Sequence, residues 1–565
     1  MPEKRKPSLV LTLGAAGLLV GGGVAAYWLL VQRQGGLGDL PVGANIIPQD
    51  ALVSITVSTD TDQWQQLRQL GSQQMQAQLD KYVAQLSDRF SANGYNYQRD
   101  IQPWVGKEAT IALLPPDFTP AKNLPQSSSN TRAQQSLVMV LPIANPAAAK
   151  ELLQQPTKPL NQGKWTQRSY KGLEIRETQG LPTQNYSATV LDGRFLVLTD
   201  NPKATERAID TYKGTAASLA QTAGYTKALS QIANAERFAK LYVNVPIAAM
   251  VAAANPARSF SPQGVAQLRN NQGLAATINL EPEGIRMKSI SWLKPNSQRV
   301  HVVENKAGNM QSRLPAETLM MISGGSLQRL WQEYAQEVQS NPAAPIRPQE
   351  LRSGVKSTTG LDLDRDLLSW MNGEFALSVI PATPKAGSPD FALSLVLMVQ
   401  TNDRSKAEQS LQQLDRVMRS RYQFQMQQTK VKDRAVVNWV APYGTVTATH
   451  GWLDGNVAFL SLGAPVAERL IPKPETTLAG TEQFQKTVPS GLNPNNGQFF
   501  LNVEPAVKTL PLPQFFSGQQ TFFNATRSIG VTSAVSDERS IRYDIFVGLK
   551  QVGEQGSRGA GEQGG

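Results

Sequence analysis

Asp362, Asp364 and Asp366 stand at alternate positions, the spacing with which a calcium loop begins. Carboxylate oxygens at that spacing suit a hard cation. An EF-hand loop also needs glycine at its sixth position and glutamate at its twelfth, where this chain has Leu367 and Gly373. The trio is therefore read as a helix start, its acids set against the positive end of the helix dipole. Histidine, the usual general base near neutral pH, occurs only as His301 and His450. His450, in the strand before Gly451-Trp452, has no obvious carboxylate and nucleophile series around it and is read as structural or exposed; His301, near the junction between the copies, carries no motif. Cysteine is absent, which removes disulfides, thiol catalysis and cysteine-held zinc or iron–sulfur centres. The stretch Gly559 to Gly564 fits G-x-G-x-x-G literally, yet it follows no strand and opens no helix, so it is no nucleotide site. No phosphate-loop G-K-[ST], no G-x-S-x-G elbow and no H-E-x-x-H occurs. No catalytic residue, cofactor or metal ligand is assigned. Carboxylate pairs are placed by the fold rather than by spacing, so a carboxylate-based enzyme of unfamiliar plan stays open as an alternative.

One unusual stretch is written twice. "DIQPWVGKEATIAL" runs from Asp100 to Leu113, and "DLLSWMNGEFALSV" from Asp366 to Val379. Trp104, Gly106 and Glu108 of the first meet Trp370, Gly373 and Glu374 of the second. In a duplicated domain a packing residue persists in both copies, whereas a single active site need persist in only one. The motif stands where a strand is predicted to begin. Glycine there permits a bulge or a close backbone approach, and tryptophan supplies a large buried face with an N–H that needs a partner. Glu108 and Glu374 are each expected to pair with an arginine of their own copy. The motif is read as scaffold.

Other landmarks keep the same order. Pro48 meets Pro315, Trp64 meets Trp331, and Leu191-Asp192-Gly193 meets Leu453-Asp454-Gly455. Glu206-Arg207 meets Glu468-Arg469, Val243-Asn244-Val245 meets Leu501-Asn502-Val503, and Ile285-Arg286 meets Ile541-Arg542. The offset falls steadily from 267 (315 − 48) to 256 (541 − 285). Such a drift with conserved order indicates a tandem duplication of about 250 residues.

These residues need elements to hold them. "ALVSITVSTD" is a strand by its alternation and β-branched content. Trp64, Leu67, Leu70, Met75, Leu79, Val83, Leu86 and Phe90 follow at helical spacing. "ATIALLP" and "SLVMVLPI" are strands joined by a proline- and serine-rich loop over 115–135, and "NPAAAKELLQQ" has an Asn–Pro helix start. "YSATVLDGRFLVLTD" is a hairpin whose Asp192-Gly193 suits a type I′ turn. "PKATERAIDTY" is a helix, "LYVNVP" a strand, and "GLAATINLEPEGIRMKSISWL" a closing hairpin. The second copy repeats the series. Hairpins with interspersed helices define an α+β fold with largely antiparallel sheets.

Leu9 to Val31 is a run of 23 residues without a charge, about 34 Å as a helix and enough for a bilayer core of about 30 Å. Lys4, Arg5 and Lys6 precede it, and Tyr27 and Trp28 stand near its far end. By the positive-inside rule the N-terminus stays cytoplasmic and the bulk of the chain lies across the membrane. Val24-Ala25-Ala26 resembles a signal cleavage site, but the apolar run is longer than an ordinary signal core. Gly17 and Gly21 make a G-x-x-x-G pair, weak in so glycine-rich a segment. The domain limits expected are 1–8 cytoplasmic, 9–31 transmembrane, 32–44 tether, 45–294 first repeat, 295–314 linker, 315–550 second repeat and 551–565 low-complexity tail. The net charge of +11 favours anionic lipid or acidic partners. Its densest cluster is Arg416, Arg419, Arg421, Lys430, Lys432 and Arg434, the first three closing a predicted helix where cations offset the dipole. No basic stripe with interleaved aromatics marks a nucleic-acid surface.

"IIPQDALVSITVSTDTDQW", "DIQPWVGKEATIALLP", "LDGRFLVLTDNPKATERAI" and their echoes resemble, over roughly residues 44–550, the cyanobacterial membrane-anchored family with domain of unknown function 3352. The resemblance implies a tethered protein in the plasma or thylakoid membrane, facing the periplasm or the lumen, with no catalytic residues to carry over. The function expected is non-enzymatic: a binding or assembly module for membrane or envelope proteins. A lipid or small-hydrophobe carrier is the alternative.

Overall fold

The computed structural model describes residues 34–35, 40–81, 97–115, 135–154, 164–179, 186–233, 237–253, 270–337, 347–382, 392–510 and 520–551. The run Leu9 to Val31, the loop of 116–134, Val83 to Phe90 and the glycine-rich tail lie outside the described residues. Among those described, no helix is long and apolar enough to cross a membrane.

Short β-branched and aromatic runs between glycine and asparagine turns make the strands. In the first half these are β1 Val53–Ser58, β2 Lys107–Leu114, β3 Ser136–Pro142, β4 Lys164–Tyr170 and β5 Leu173–Gln179. They continue with β6 Ser187–Leu191, β7 Phe195–Thr199, β8 Ala239–Val243, β9 Asn271–Glu281 and β10 Gly284–Leu293. The second half supplies β11 Met320–Gly324, β12 Phe375–Pro381, β13 Leu393–Gln400, β14 Gln425–Val431 and β15 Arg434–Val440. Then come β16 Val446–Trp452, β17 Val457–Gly463, β18 Gly497–Asn502, β19 Thr526–Asp537 and β20 Ser540–Leu549. A two-residue strand, Gln34–Gly35, also pairs with Lys107–Glu108.

Every pairing is antiparallel. The first ten strands lie in the order β4-β5-β6-β7-β3-β2-β1-β8-β9-β10. The second ten lie in the order β14-β15-β16-β17-β13-β12-β11-β18-β19-β20. The two orders are the same, strand for strand. β10 then pairs with β20 from Gly284 opposite Gly548 to Trp292 opposite Ser540. One antiparallel sheet therefore runs through both halves, with β10 and β20 at its middle and β4 and β14 at its ends.

On one face of the sheet each half has its own apolar core. Ala112, Val138, Val140 and Tyr242 build the first, beneath the helix Pro202–Tyr212. Met321, Ala376, Val396 and Phe500 build the second. The helix Pro202–Tyr212 starts at Asn201, whose side chain accepts from Lys203 N at 3.0 Å, with Pro202 in the first turn. The other face of the central strands is covered by Trp64 and Leu67 of the helix Thr61–Gln69, packed on Ile55, Leu241, Ile278 and Met287. Segment 295–314, expected as a linker, is stitched along β19 and its neighbours. His301 N donates to Glu538 O at 2.8 Å, Asn305 bonds both ways with Val535, and Arg539 donates to Ser297 O.

Candidate functional site

The repeated motif is packed inward in both halves. Trp104 is 1% exposed and its Nε1–H donates to Asp100 O at 2.6 Å. Gly106 N donates to Pro142 O at 2.7 Å, and in the second half Gly373 N donates to Gln400 O at 3.1 Å. A Cβ on Gly106 would stand 2.9 Å from Pro142 Cβ, and one on Gly373 would stand 2.4 Å from Gln400 O. Both glycines are there because a neighbouring strand passes too close for a side chain. Trp370 is buried like Trp104, but its indole N–H has no hydrogen-bond partner. Trp64 Nε1 donates to Ser58 O at 3.0 Å, and Trp331 Nε1 to Asp364 Oδ1 at 2.9 Å. Asp192 and Gly193 both have positive φ, 47° and 65°, as a type I′ turn requires. Gly455 has φ 63°, in a hairpin loop closed by Leu453 N to Val457 O.

The two glutamates do not meet arginines. Glu108 faces the Lys240 ammonium at 3.1 Å, and Lys240 is only 3% exposed. Glu374 instead caps a ring of donors: Gly308 N, Asn309 N and Met310 N at 2.6–3.0 Å, with Asn309 Nδ2 at 3.0 Å. The acidic trio is likewise occupied from within. Asp362 accepts from Asp364 N and Arg365 N as a helix cap, and Asp366 pairs with Arg365 at 2.8 Å. The Arg352 guanidinium, at 2.5 Å, holds Asp364 below the usual carboxylate range against its partial burial, helped by Trp331. Among the described residues no group of three acids or histidines converges as a metal site would.

Two arrangements escaped sequence reasoning. Directly opposed residues of neighbouring antiparallel strands share a face, and one such row crosses the middle of the sheet. It reads Thr110, Thr56, Lys240, Thr277, Lys288, then across the join Asp544, Thr532, Gln498 and Ser323. Most of these side chains are buried, Lys288 and Gln498 half-buried. Arg286 reaches Asp544 at 3.4 Å and Glu281 at 2.5 Å. Burial pushes the Asp544 carboxyl above its usual range, against the pull of Arg286 and Lys288. Thr277 and Thr532 donate to Ile232 O and Pro489 O, so loops cover the row. Its charges are met in place, and its physical consequence is register. A slip of one residue would carry Lys288 and Asp544 onto the face of Met287 and Ile545.

The second arrangement is His450 on β16. Its Nε2 lies 2.8 Å from Asp415 Oδ1, which also accepts from Trp439 Nε1 at 2.7 Å. Asp415 is on the helix Arg404–Tyr422, so the missing carboxylate is supplied from another element. This pair fixes the imidazole; among the described residues no nucleophile is hydrogen-bonded to the ring. His301 is desolvated and near Arg299, which together depress its pKa to about 4.

Fold and side-chain placement define a mixed helix-and-strand protein built on a large antiparallel sheet. Residues 12–549 match the family described as protein of unknown function DUF3352, and the chain belongs to that family. Crystal form IV of TP0453 is similar at 9% identity and a TM-score of 0.25, covering 47% of this chain and 88% of that one. Crystal form I of TP0453 gives 8% identity and a TM-score of 0.25, covering 45% and 79%. Likeness so distant carries no argument. No curated protein matches the chain.

Proposed function

We propose that the protein is a non-enzymatic, single-pass membrane protein of cyanobacterial type. Leu9 to Val31 is its anchor, and two homologous domains made by duplication lie across the membrane in the periplasm or thylakoid lumen. There they bind or assemble membrane or envelope proteins. The observation that carries this reading is apolar surface left open beside the join. Val300, Val302 and Val303 are 53%, 53% and 54% exposed on a segment otherwise bonded to β19. Three exposed valines within four residues supply apolar surface of the kind a partner covers, which supports the reading. The motif side chains being packed inward supports the non-enzymatic part of the reading.

The test is a mild-detergent affinity purification of the tagged full-length protein from its own membranes, with mass spectrometry of what accompanies it. The expected result is a stoichiometric protein partner whose recovery falls sharply in a Val300→Asp/Val302→Asp variant. Bound lipid or pigment with no protein partner would contradict the proposal and favour a carrier.

A further inference from the structure

Asp454 lies at the head of a shallow notch, open to solvent, lined also by Arg313, Arg434, Leu470, Pro472 and Lys473. The notch exists because a helix is cut short. In the first half the helix Pro202–Tyr212 runs 11 residues, and Tyr212 Oη donates to Asp192 Oδ2 at 2.6 Å. The corresponding helix Ala467–Leu470 has four residues and is followed by Pro472 and Pro474. Proline lacks the N–H and clashes with the preceding turn, so the helix cannot continue. The place of Tyr212 falls to Pro474 (212 + 262), and the carboxylate of Asp454 is left to other partners.

Those partners are cations that the first half lacks. Arg313, Arg434 and Lys473 correspond to Ile46 (offset 267), Leu173 (offset 261) and Thr211 (offset 262). Ile46 and Thr211 are buried in the first half, and Leu173 packs against its core. On three separate segments, positions that are uncharged in the first half carry cations in the second, and these converge on one notch. Asp454 bridges two of them, pairing with Arg434 and, at 3.5 Å, with Arg313. Lys473 is exposed and has no ion-pair partner among the described residues. Three cations against one carboxylate leave the notch with a surplus of two positive charges. A structural ion pair needs one cation for Asp454, not three.

We infer that this notch of the second half is a binding site for a phosphate group. The two guanidinium forks, held side by side by Asp454, suit bidentate contact with phosphate oxygens, and Lys473 adds a mobile point charge at the rim. The shared chemistry is the phosphate, either free or in an anionic lipid headgroup. This inference does not rest on the assembly reading.

The test is calorimetric titration of the full-length protein in neutral detergent at constant ionic strength. The probes are sodium phosphate and, separately, dihexanoylphosphatidylglycerol against dihexanoylphosphatidylcholine below their micelle concentrations. Arg434→Gln and Lys473→Gln should each weaken binding by about tenfold, while Lys171→Gln on the corresponding hairpin of the first half leaves it unchanged. Asp454→Asn should tighten binding, because its carboxylate competes for both arginines. Saturation by inorganic phosphate assigns a free-phosphate site; saturation by the glycerol lipid alone assigns a headgroup site, and either supports the inference. Absence of binding to every probe, or binding indifferent to Arg434→Gln and Lys473→Gln, overturns it. Lys473 is exposed, so its variant reads binding without a change of fold.

Discussion

Glu108 and Glu374 occupy the same place beside a strand that follows a buried tryptophan, yet one faces an ammonium and the other a ring of amides. The difference follows from their neighbours. On β8 the first half has Lys240, directly across from Thr56. At the corresponding place on β18 the second half has Gln498, whose side-chain oxygen is buried without a partner. With no cation opposite, Glu374 turns to the N–H groups of Gly308, Asn309 and Met310, just before β11. The same carboxylate thus ties strand to strand in one half and strand to incoming chain in the other. What both halves keep is a satisfied buried charge, and what they exchange is the donor.

That comparison can be broken most sharply at Glu374. Glu374→Ala leaves three backbone amides without an acceptor and should cost about 4 kcal/mol of unfolding free energy, measured by urea titration. Glu108→Gln removes the carboxylate facing a buried ammonium and should cost about 3 kcal/mol, most of it recovered when Lys240→Met is added. No recovery in the double variant would mean that Lys240 has another main partner. Gly373→Ala drives a Cβ onto Gln400 O and should cost about 3 kcal/mol. Gly106→Ala brings its Cβ to 2.9 Å from Pro142 Cβ, a less severe approach but onto a ring fixed to its backbone, and should cost about 2 kcal/mol.

The smallest effect expected concerns pH at the join. Burial and Arg299 set His301 near 4 in the folded protein, below its ordinary 6.5. As pH falls, the unfolded chain takes up that proton first. Stability from this group is therefore complete above pH 6.5 and is lost progressively between 6.5 and 4. Because the ring is partly exposed, the loss is discounted to about 1 kcal/mol. His301→Gln should remove that slope from the difference in unfolding free energy between pH 7 and pH 4.5. An unchanged slope would place the pH sensitivity elsewhere.

Much of the fold is legible where local chemistry decides it. The Asp192-Gly193 turn, the Asn–Pro helix start at residue 145, and the β9–β10 hairpin all follow from turn residues and β-branched alternation. The hairpins β4–β5 and β14–β15 are harder to read. β4, β5 and β14 are rich in charged residues and glutamine, and β14 is largely exposed at the sheet's end, so no strong apolar period marks these three. The polar row misleads in the opposite sense. Ser54, Thr56 and Ser58 alternate with apolar residues as on a half-solvated strand, but loops cover that face too and the hydroxyls are buried. Lys240 and Asp415 lie 132 and 35 residues from the groups they bind. Such pairs are set by which strands and helices come together, and no local pattern announces them.

The central claim is that β10 and β20 join the halves into one sheet rather than standing as two edges. Native-state hydrogen exchange of the amides in Gly284–Leu293 and Ser540–Leu549 tests it most directly. A continuous sheet predicts protection equal to that of β1 and β8 in the interior of the first half. Exchange as fast as that of the outer strand β14 would show the two halves parted at the join and would contradict the account.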